Sequence, residues 1–128
     1  MQYRTYKETM LPQMVRLWKE EAVRIRYKAY DSPEEWKAEL LDKPDFDPEG
    51  CILAFTDSGS LAGFAAAISQ KEFLPGQNRD NTPGYIFLLV VKEEYEGRGV
   101  GSSLLEKAEA FLKDQGKHEI RISRSEEH

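Results

Sequence analysis

A chain of 128 residues, 40% hydrophobic and 32% charged, has the length of one ordinary domain and the makeup of a folded protein rather than a disordered one. Its formal net charge of -5 has the wrong sign for a broad nucleic-acid footprint. No apolar run approaches the ~20 residues that cross a bilayer, residues 1–6 lack the apolar centre of a signal peptide, and the lone Cys51 offers no intrachain disulfide. A cytoplasmic protein with no membrane or nucleic-acid partner is therefore expected.

Residues 2–7 alternate Tyr3 and Thr5 with Arg4 and Tyr6 and read as a first strand. Thr9 suits the N-cap of a long helix reaching about Tyr27, with Leu11, Met14, Val15, Trp18, Ala22 and Ile25 as its inward stripe. Arg16, Lys19, Arg24, Arg26 and Lys28 occupy the remainder, a solvated face before it is a substrate patch. Ser32-Pro33-Glu34-Glu35 opens a second helix: a serine cap, proline in the first turn, and Glu35 placed to close a capping box. Trp36, Leu40 and Leu41 form its apolar edge, and Pro44 ends it.

The stretch Asp45-Phe46-Asp47-Pro48-Glu49-Gly50 alternates acidic residues. A calcium loop of the EF-hand type needs a carboxylate six residues after its glycine, where Thr56 stands, so an acidic turn without metal is expected. Residues 51–56 then form a strand, Asp57-Ser58-Gly59-Ser60 a hairpin turn, and residues 61–68 the antiparallel partner. Cys51 reads as a packing residue, since a nucleophilic thiol wants His and Asp or Asn partners and the only histidines are His118 and His128. Residues 71–83 form a long polar connection.

The most informative stretch follows. Tyr85-Ile86-Phe87-Leu88-Leu89-Val90-Val91 is a buried strand by its apolar, β-branched and aromatic content. After Tyr95-Glu96-Gly97-Arg98-Gly99-Val100-Gly101-Ser102, the residues Leu104, Leu105, Ala108, Phe111 and Leu112 recur at helical spacing, with Glu109 and Lys113 one turn apart and Gly116 at the C-cap. Strand, glycine loop and helix start together aim unpartnered backbone N–H groups at an anion, and glycine lets a phosphate approach without a Cβ in the way. A pyrophosphate cradle is expected. A Walker-type loop would need Lys and Ser or Thr after Gly101, and a dinucleotide-type loop would place a third glycine at Ser102, so both fit poorly. The loop leaves one end of its strand and residues 71–83 join the other, so Lys71 and Arg79 should not reach the phosphate. Residues 118–123 alternate as a last strand, joined to residues 85–91 by a right-handed parallel crossover.

The residues Leu89-Val90-Val91, Lys92-Glu93-Glu94, Tyr95 and Glu96-Gly97-Arg98-Gly99-Val100-Gly101 together resemble the signature of the GCN5-related N-acetyltransferases, the GNAT family. That resemblance implies an α/β (α+β) fold of acyl-CoA N-acyltransferase type. Its elements run strand, helix, helix, three strands, helix, strand around a mixed central sheet. Glu96 stands where relatives usually carry Gln or Arg, a repulsive neighbour for pyrophosphate that Arg98 could partly offset. The resemblance makes Glu96, Gly97, Arg98, Gly99, Val100, Gly101 and Ser102 the pyrophosphate site of acetyl-CoA. It gives the pantetheine arm to backbone groups of Leu89, Val90 and Val91. Tyr27, Tyr30 and Trp36 become either acceptor-pocket residues or ordinary core aromatics.

The implied function is N-acetyltransfer from acetyl-CoA to a small-molecule or peptide primary amine by direct attack. The alternatives are a non-catalytic CoA-binding or dimerisation module and, more weakly, a nucleotide-binding half-domain. No catalytic base is identified, because the strand positions that carry a carboxylate in many relatives match Tyr85 and Phe87. Relatives usually continue beyond this point with a helix and two strands that carry a thiolate-protonating tyrosine. The resemblance therefore implies that residues 1–128 are one C-terminally incomplete domain of a longer or tandem-domain acetyltransferase, ahead of a shortened relative. A homodimer, or pairing with the absent segment, would cover its last strand and helix.

Overall fold

The structure is a computed structural model that describes residues 1–122. Five strands lie side by side in chain order: β1 (Gln2–Thr5), β2 (Phe46–Phe55), β3 (Leu61–Ser69), β4 (Gly84–Val91) and β5 (Ile120–Ile122). The first four pair antiparallel, and β5 pairs parallel to β4 after the helix α3 (Val100–Asp114). Helices α1 (Leu11–Glu21) and α2 (Pro33–Leu40) precede β2. The expected element order and the mixed sheet are those observed. Ser123 and the chain after it lie outside the described residues.

Two apolar layers sandwich the sheet. Cys51, Leu53 and Phe55 of β2 face the α1–α2 side, while Ile52 and Ala54 alternate to the α3 side. In β4 this alternation breaks once. Ile86 faces α3, then Phe87 and Leu88 both face the α1–α2 layer, then Leu89 faces α3 and Val90 the α1–α2 layer again. The register gives the cause: Ala66 opposes Leu88 and Ala67 opposes Ile86, which leaves Phe87 as an extra residue in a β-bulge.

The first helix is shorter than expected and Thr9 does not cap it. Thr9 lies in a 3₁₀ turn, Glu8–Met10, that feeds directly into α1 with proline in the first turn. Met10, at the cap position, is already in the right-handed helical region (φ -89°, ψ -11°), so no extended residue is left to present a side-chain cap. Met14, Val15, Trp18 and Ala22 are buried as the stripe requires, with Leu11 and Ile25 packed against them and Leu17 added. After Glu21 the chain turns on bonds from Tyr27 N–H to Ala22 O (2.8 Å) and Arg26 N–H to Val23 O (3.3 Å). This is a Schellman-type closure with Arg26 left-handed at φ 65°. At α2, Ser32 Oγ accepts from Glu35 N–H at 3.1 Å, the backbone half of the expected box.

The acidic stretch is not a turn; this expectation is corrected. Residues 47–50 belong to β2, where five steps from Phe46 to Cys51 oppose two from Ile68 to Ala66 on β3. Pro48 has no N–H for the ladder, and Asp47 Oδ1 takes the Glu49 N–H at 3.0 Å instead. Gly50 then lets α3 close on the sheet, since a Cβ there would stand 2.7 Å from the Phe111 ring and 2.8 Å from Ala67 O. At the end of α3, Gly116 is left-handed (φ 81°) and Lys117 N–H reaches Leu112 O at 3.0 Å, as the C-cap reading requires. Glu109 and Lys113 form no ion pair among the described residues. Lys117 holds the long connection to this end of α3, donating to Thr82 Oγ1 (2.7 Å), Thr82 O (3.1 Å) and Arg79 O (3.2 Å). Burial, and then the neighbouring Arg79, push its pKa down.

Gly50→Ala is expected to destabilise the fold by roughly 1–3 kcal/mol, because backbone at Ala67 cannot yield; urea unfolding would measure it. Arg26→Gly should stabilise by about 1 kcal/mol by removing the left-handed penalty, read as a higher urea midpoint at unchanged slope.

Candidate functional site

The bulge decides which backbone groups of β4 are available. Lys92 N–H donates to Ala62 O at 2.8 Å, so in this part of the strand the even-numbered residues point their backbone at β3. Leu89 and Val91 therefore point theirs at the opposite edge. There β5 covers only Gly84, Tyr85 and Ile86, and no strand reaches further among the described residues. A backbone edge without partners is costly to bury, and side chains from the turn after α1 meet it. The Tyr27 hydroxyl accepts from Leu89 N–H at 3.3 Å and donates to Leu89 O at 3.5 Å. Arg24 Nη2 donates to Val91 O at 2.9 Å.

Beyond Val91 a 3₁₀ turn, Glu93–Tyr95, leads to the loop, and the loop into α3. Gly97 and Gly99 are both left-handed (φ 76° and 83°), and a Cβ at either would meet nothing within 4 Å, so both face open space. Gly99 is the N-cap and supplies no side-chain acceptor, so the first-turn amides of α3 keep their donors for an outside partner. Edge and loop line one cleft of about 660 Å³ with Arg24, Ile25, Arg26 and Tyr27 opposite. That volume lies within the range of small-molecule sites.

Of the residues expected from sequence, Leu89, Val91, Glu96, Gly97, Gly99, Gly101 and Ser102 line this cleft together. Val90 and Val100 do not: both are buried, Val90 turned to β3 and the α1–α2 core, Val100 into the α3 core. Arg98 is exposed and lies over the Tyr95 ring, 5.9 Å from its centre. The cation that meets Glu96 is Arg24 instead, in a contact between Nη1 and Oε1. Arg24 also donates to Glu21 through Nε (2.9 Å) and Nη2 (2.5 Å), and lies 3.4 Å from Glu93. Burial works against its charge, yet the bonds to Glu21 and Glu96 hold its pKa above the ordinary value. Glu21, nearly buried, further accepts the Glu93 N–H at 3.0 Å. The Glu21–Arg24 spacing marks a helical pair, but nothing near Arg24 in the chain announces Glu96.

Among the sequence's pocket aromatics, Tyr27 lines the cleft with its ring stacked on Trp18 at 4.7 Å. Trp36 is fully buried between Trp18 and Phe64 and is a core residue. Tyr30 packs against Trp18 at 6.1 Å. Burial pushes the Cys51 thiol up to about 12, which leaves it unreactive at neutral pH. Among the described residues, no three His, Cys, Asp or Glu side chains converge as a metal site.

Several known proteins are similar to this chain in sequence or in fold. A mycothiol acetyltransferase of Paenarthrobacter aurescens (strain TC1) is 32% identical over 77 residues, which are 60% of this chain and 23% of that protein. This chain thus spans less than a quarter of that curated relative. Among solved structures, a ribosomal-protein-alanine N-acetyltransferase from Brucella melitensis biovar Abortus 2308 superposes with a TM-score of 0.71 at 15% identity, over 95% of this chain and 79% of its own. An aminoglycoside N-acetyltransferase bound to a CoA-linked bisubstrate analogue superposes with a TM-score of 0.70 at 20% identity, over 99% and 81%. At such identities the superpositions speak for the fold. The profile of the family described as "Acetyltransferase (GNAT) family" matches residues 11–127. Because that match takes in both helical layers, strands β2 to β5 and the glycine loop together, and not one motif alone, the chain belongs to the acetyltransferase (GNAT) family.

Proposed function

We propose that this chain binds acetyl-CoA in the cleft between β4 and α3 and serves N-acetyl transfer to a primary amine by direct attack. The observation that carries the reading is the continuity of two donor sets. The open glycine loop at α3 and the edge of β4 that no strand covers at Leu89 and Val91 among the described residues line a single cleft. The residues fit the group. The first-turn amides of α3, uncapped behind Gly99, are donors that a diphosphate would meet, and the helix dipole adds to them. Leu89 O and Val91 O suit the amide N–H groups of a pantetheine arm laid along β4 as an added strand. Bound there, acetyl-CoA supplies an activated acyl group.

The chain's own part in the chemistry is electrostatic and positional. Leu89 N–H, released by Tyr27, is placed to donate to the thioester carbonyl as charge develops on its oxygen. The amine nitrogen forms the new bond to the carbonyl carbon, the carbon–sulfur bond breaks, the amine loses a proton, and the thiolate gains one. The relatives' names carry compounds as different as mycothiol, aminoglycosides and a ribosomal protein. An amine, small-molecule or peptide, is the shared acceptor class carried over here.

A second reading, a CoA-binding or dimerisation module without turnover, draws on a specific feature. Glu96 is the sole carboxylate among the described cleft-lining residues, and Arg24 engages it, so no free base stands beside Leu89 there.

Isothermal titration with acetyl-CoA and CoA tests the binding. Gly101→Glu is the informative variant: a Cβ there makes only an ordinary 3.6 Å contact with Val91, so the helix is kept while a carboxylate enters the anion site. The expected result is binding by the parent and at least about tenfold weaker binding by the variant, about 1.4 kcal/mol, at an unchanged melting temperature. Equal affinity would remove the loop from the site. An acetylation assay on a panel of amines then separates the two readings, turnover selecting the enzyme and binding alone the module.

A further inference from the structure

Glu96 poses a problem for any anion site at this loop. Its carboxylate heads the turn whose amides are to receive a diphosphate, and Glu93 and Glu21 stand close by. Unopposed, these charges, two of them exposed, would repel the ligand at close range. Resting on the reading of the loop as a diphosphate site, we propose that Arg24 is the positioning residue that makes the loop competent: it neutralises Glu96 and pins it to the end of α1.

Four hydrogen bonds to three partners fix that guanidinium. Nη1 meets Glu96, Nε and Nη2 share Glu21, and Nη2 also reaches Val91 O at 2.9 Å. Glu21 is anchored in turn, 8% exposed and bonded to the Glu93 amide at 3.0 Å. Arg24 therefore cannot swing with its long side chain as a surface arginine does, and Glu96 is drawn toward α1. The donor set agrees with this role. A guanidinium has five N–H groups, and the bonds to Glu21, Val91 and Glu96 use Nε, both of Nη2 and one of Nη1. Arg24 spends four of its five donors on neighbours of the loop, and its action on the ligand runs through Glu96.

A double-mutant cycle read by CoA titration tests this, with Arg24→Met, Glu96→Gln and the two combined, each checked for folding by circular dichroism and melting temperature. Arg24→Met should weaken CoA binding at least about tenfold at low salt, because Glu96 is then a free carboxylate at the site, and the deficit should shrink as salt rises. Glu96→Gln, which leaves the Glu21 and Val91 contacts of Arg24 in place, should bind CoA as tightly as the parent or a few-fold tighter. The double variant should return to within about threefold of the parent. A double variant as weak as Arg24→Met would overturn the proposal, since the arginine would then serve the ligand or the backbone directly. So would Glu96→Gln binding more weakly than the parent, a result that needs no stable Arg24 variant. Failure of the parent itself to bind CoA would sink the diphosphate reading and this proposal with it. Binding without rescue sinks this proposal alone.

Discussion

A β-strand offers hydrogen-bonding groups on both edges, and in β4 the two edges are served unequally. One is paired with β3 along the strand, while the other is paired with β5 only at Gly84, Tyr85 and Ile86. The extra residue Phe87 shifts the phase just where β5 stops, so the backbone groups of Leu89 and Val91 are delivered to the open edge. An orphaned buried N–H or C=O costs about as much as a lost hydrogen bond with its desolvation, ~1–3 kcal/mol. The turn after α1 answers that cost with Tyr27 and Arg24. The bonds from Tyr27, at 3.3 and 3.5 Å, are long ones and so the easier to exchange for those of an incoming strand-like ligand.

The route by which Tyr27 arrives there carries its own cost. Arg26 takes a left-handed backbone at φ 65°, the one positive φ among the described non-glycine residues, worth roughly 1–2 kcal/mol against a right-handed one. That conformation closes the turn through Tyr27 N–H to Ala22 O and turns the chain back toward β4. The stack of Tyr27 on Trp18, and the Trp18 Nε1–H bond to Lys28 O at 2.7 Å, then hold the returning chain against α1. Strain at one residue and packing at its neighbours together place two polar side chains on one backbone edge.

Most of the framework could be read from the sequence because its signals are local. The stripe Met14, Val15, Trp18, Ala22 has helical period, Ser32-Pro33 is a helix start, and Gly116 stops α3 where its pattern ends. The glycine loop was legible for the same reason: the left-handed Gly97 and Gly99 and the helix they open are all within a few residues. Three features were not legible, each for a physical reason. The bulge at Phe87 hides in a strand that is apolar on both faces, so the slip in parity leaves no mark in the pattern. Residues 47–50 look like a turn because Pro48 and Gly50 are turn formers, yet Gly50 is there for the approach of Phe111. Arg24 and Glu96 are brought together over 72 positions by the packing of α1 beside β4, and an ion pair of that separation has no sequence signature.

This last pairing joins the two halves of the cleft. Through Nη2 the guanidinium holds Val91 O, part of the edge along which an acyl arm would lie; through Nη1 it holds Glu96, at the head of the loop. A rigid strand and a glycine-rich turn would otherwise be linked only by the short 3₁₀ segment Glu93–Tyr95, whose own carboxylates are exposed. With one buried carboxylate, Glu21, fixing the arginine, the edge and the loop share a single anchor. A ligand that pairs with the edge and one that charges the loop therefore act on the same side chain. On the reading proposed above, the affinity of the cleft for a molecule that does both would depend on how that side chain is held.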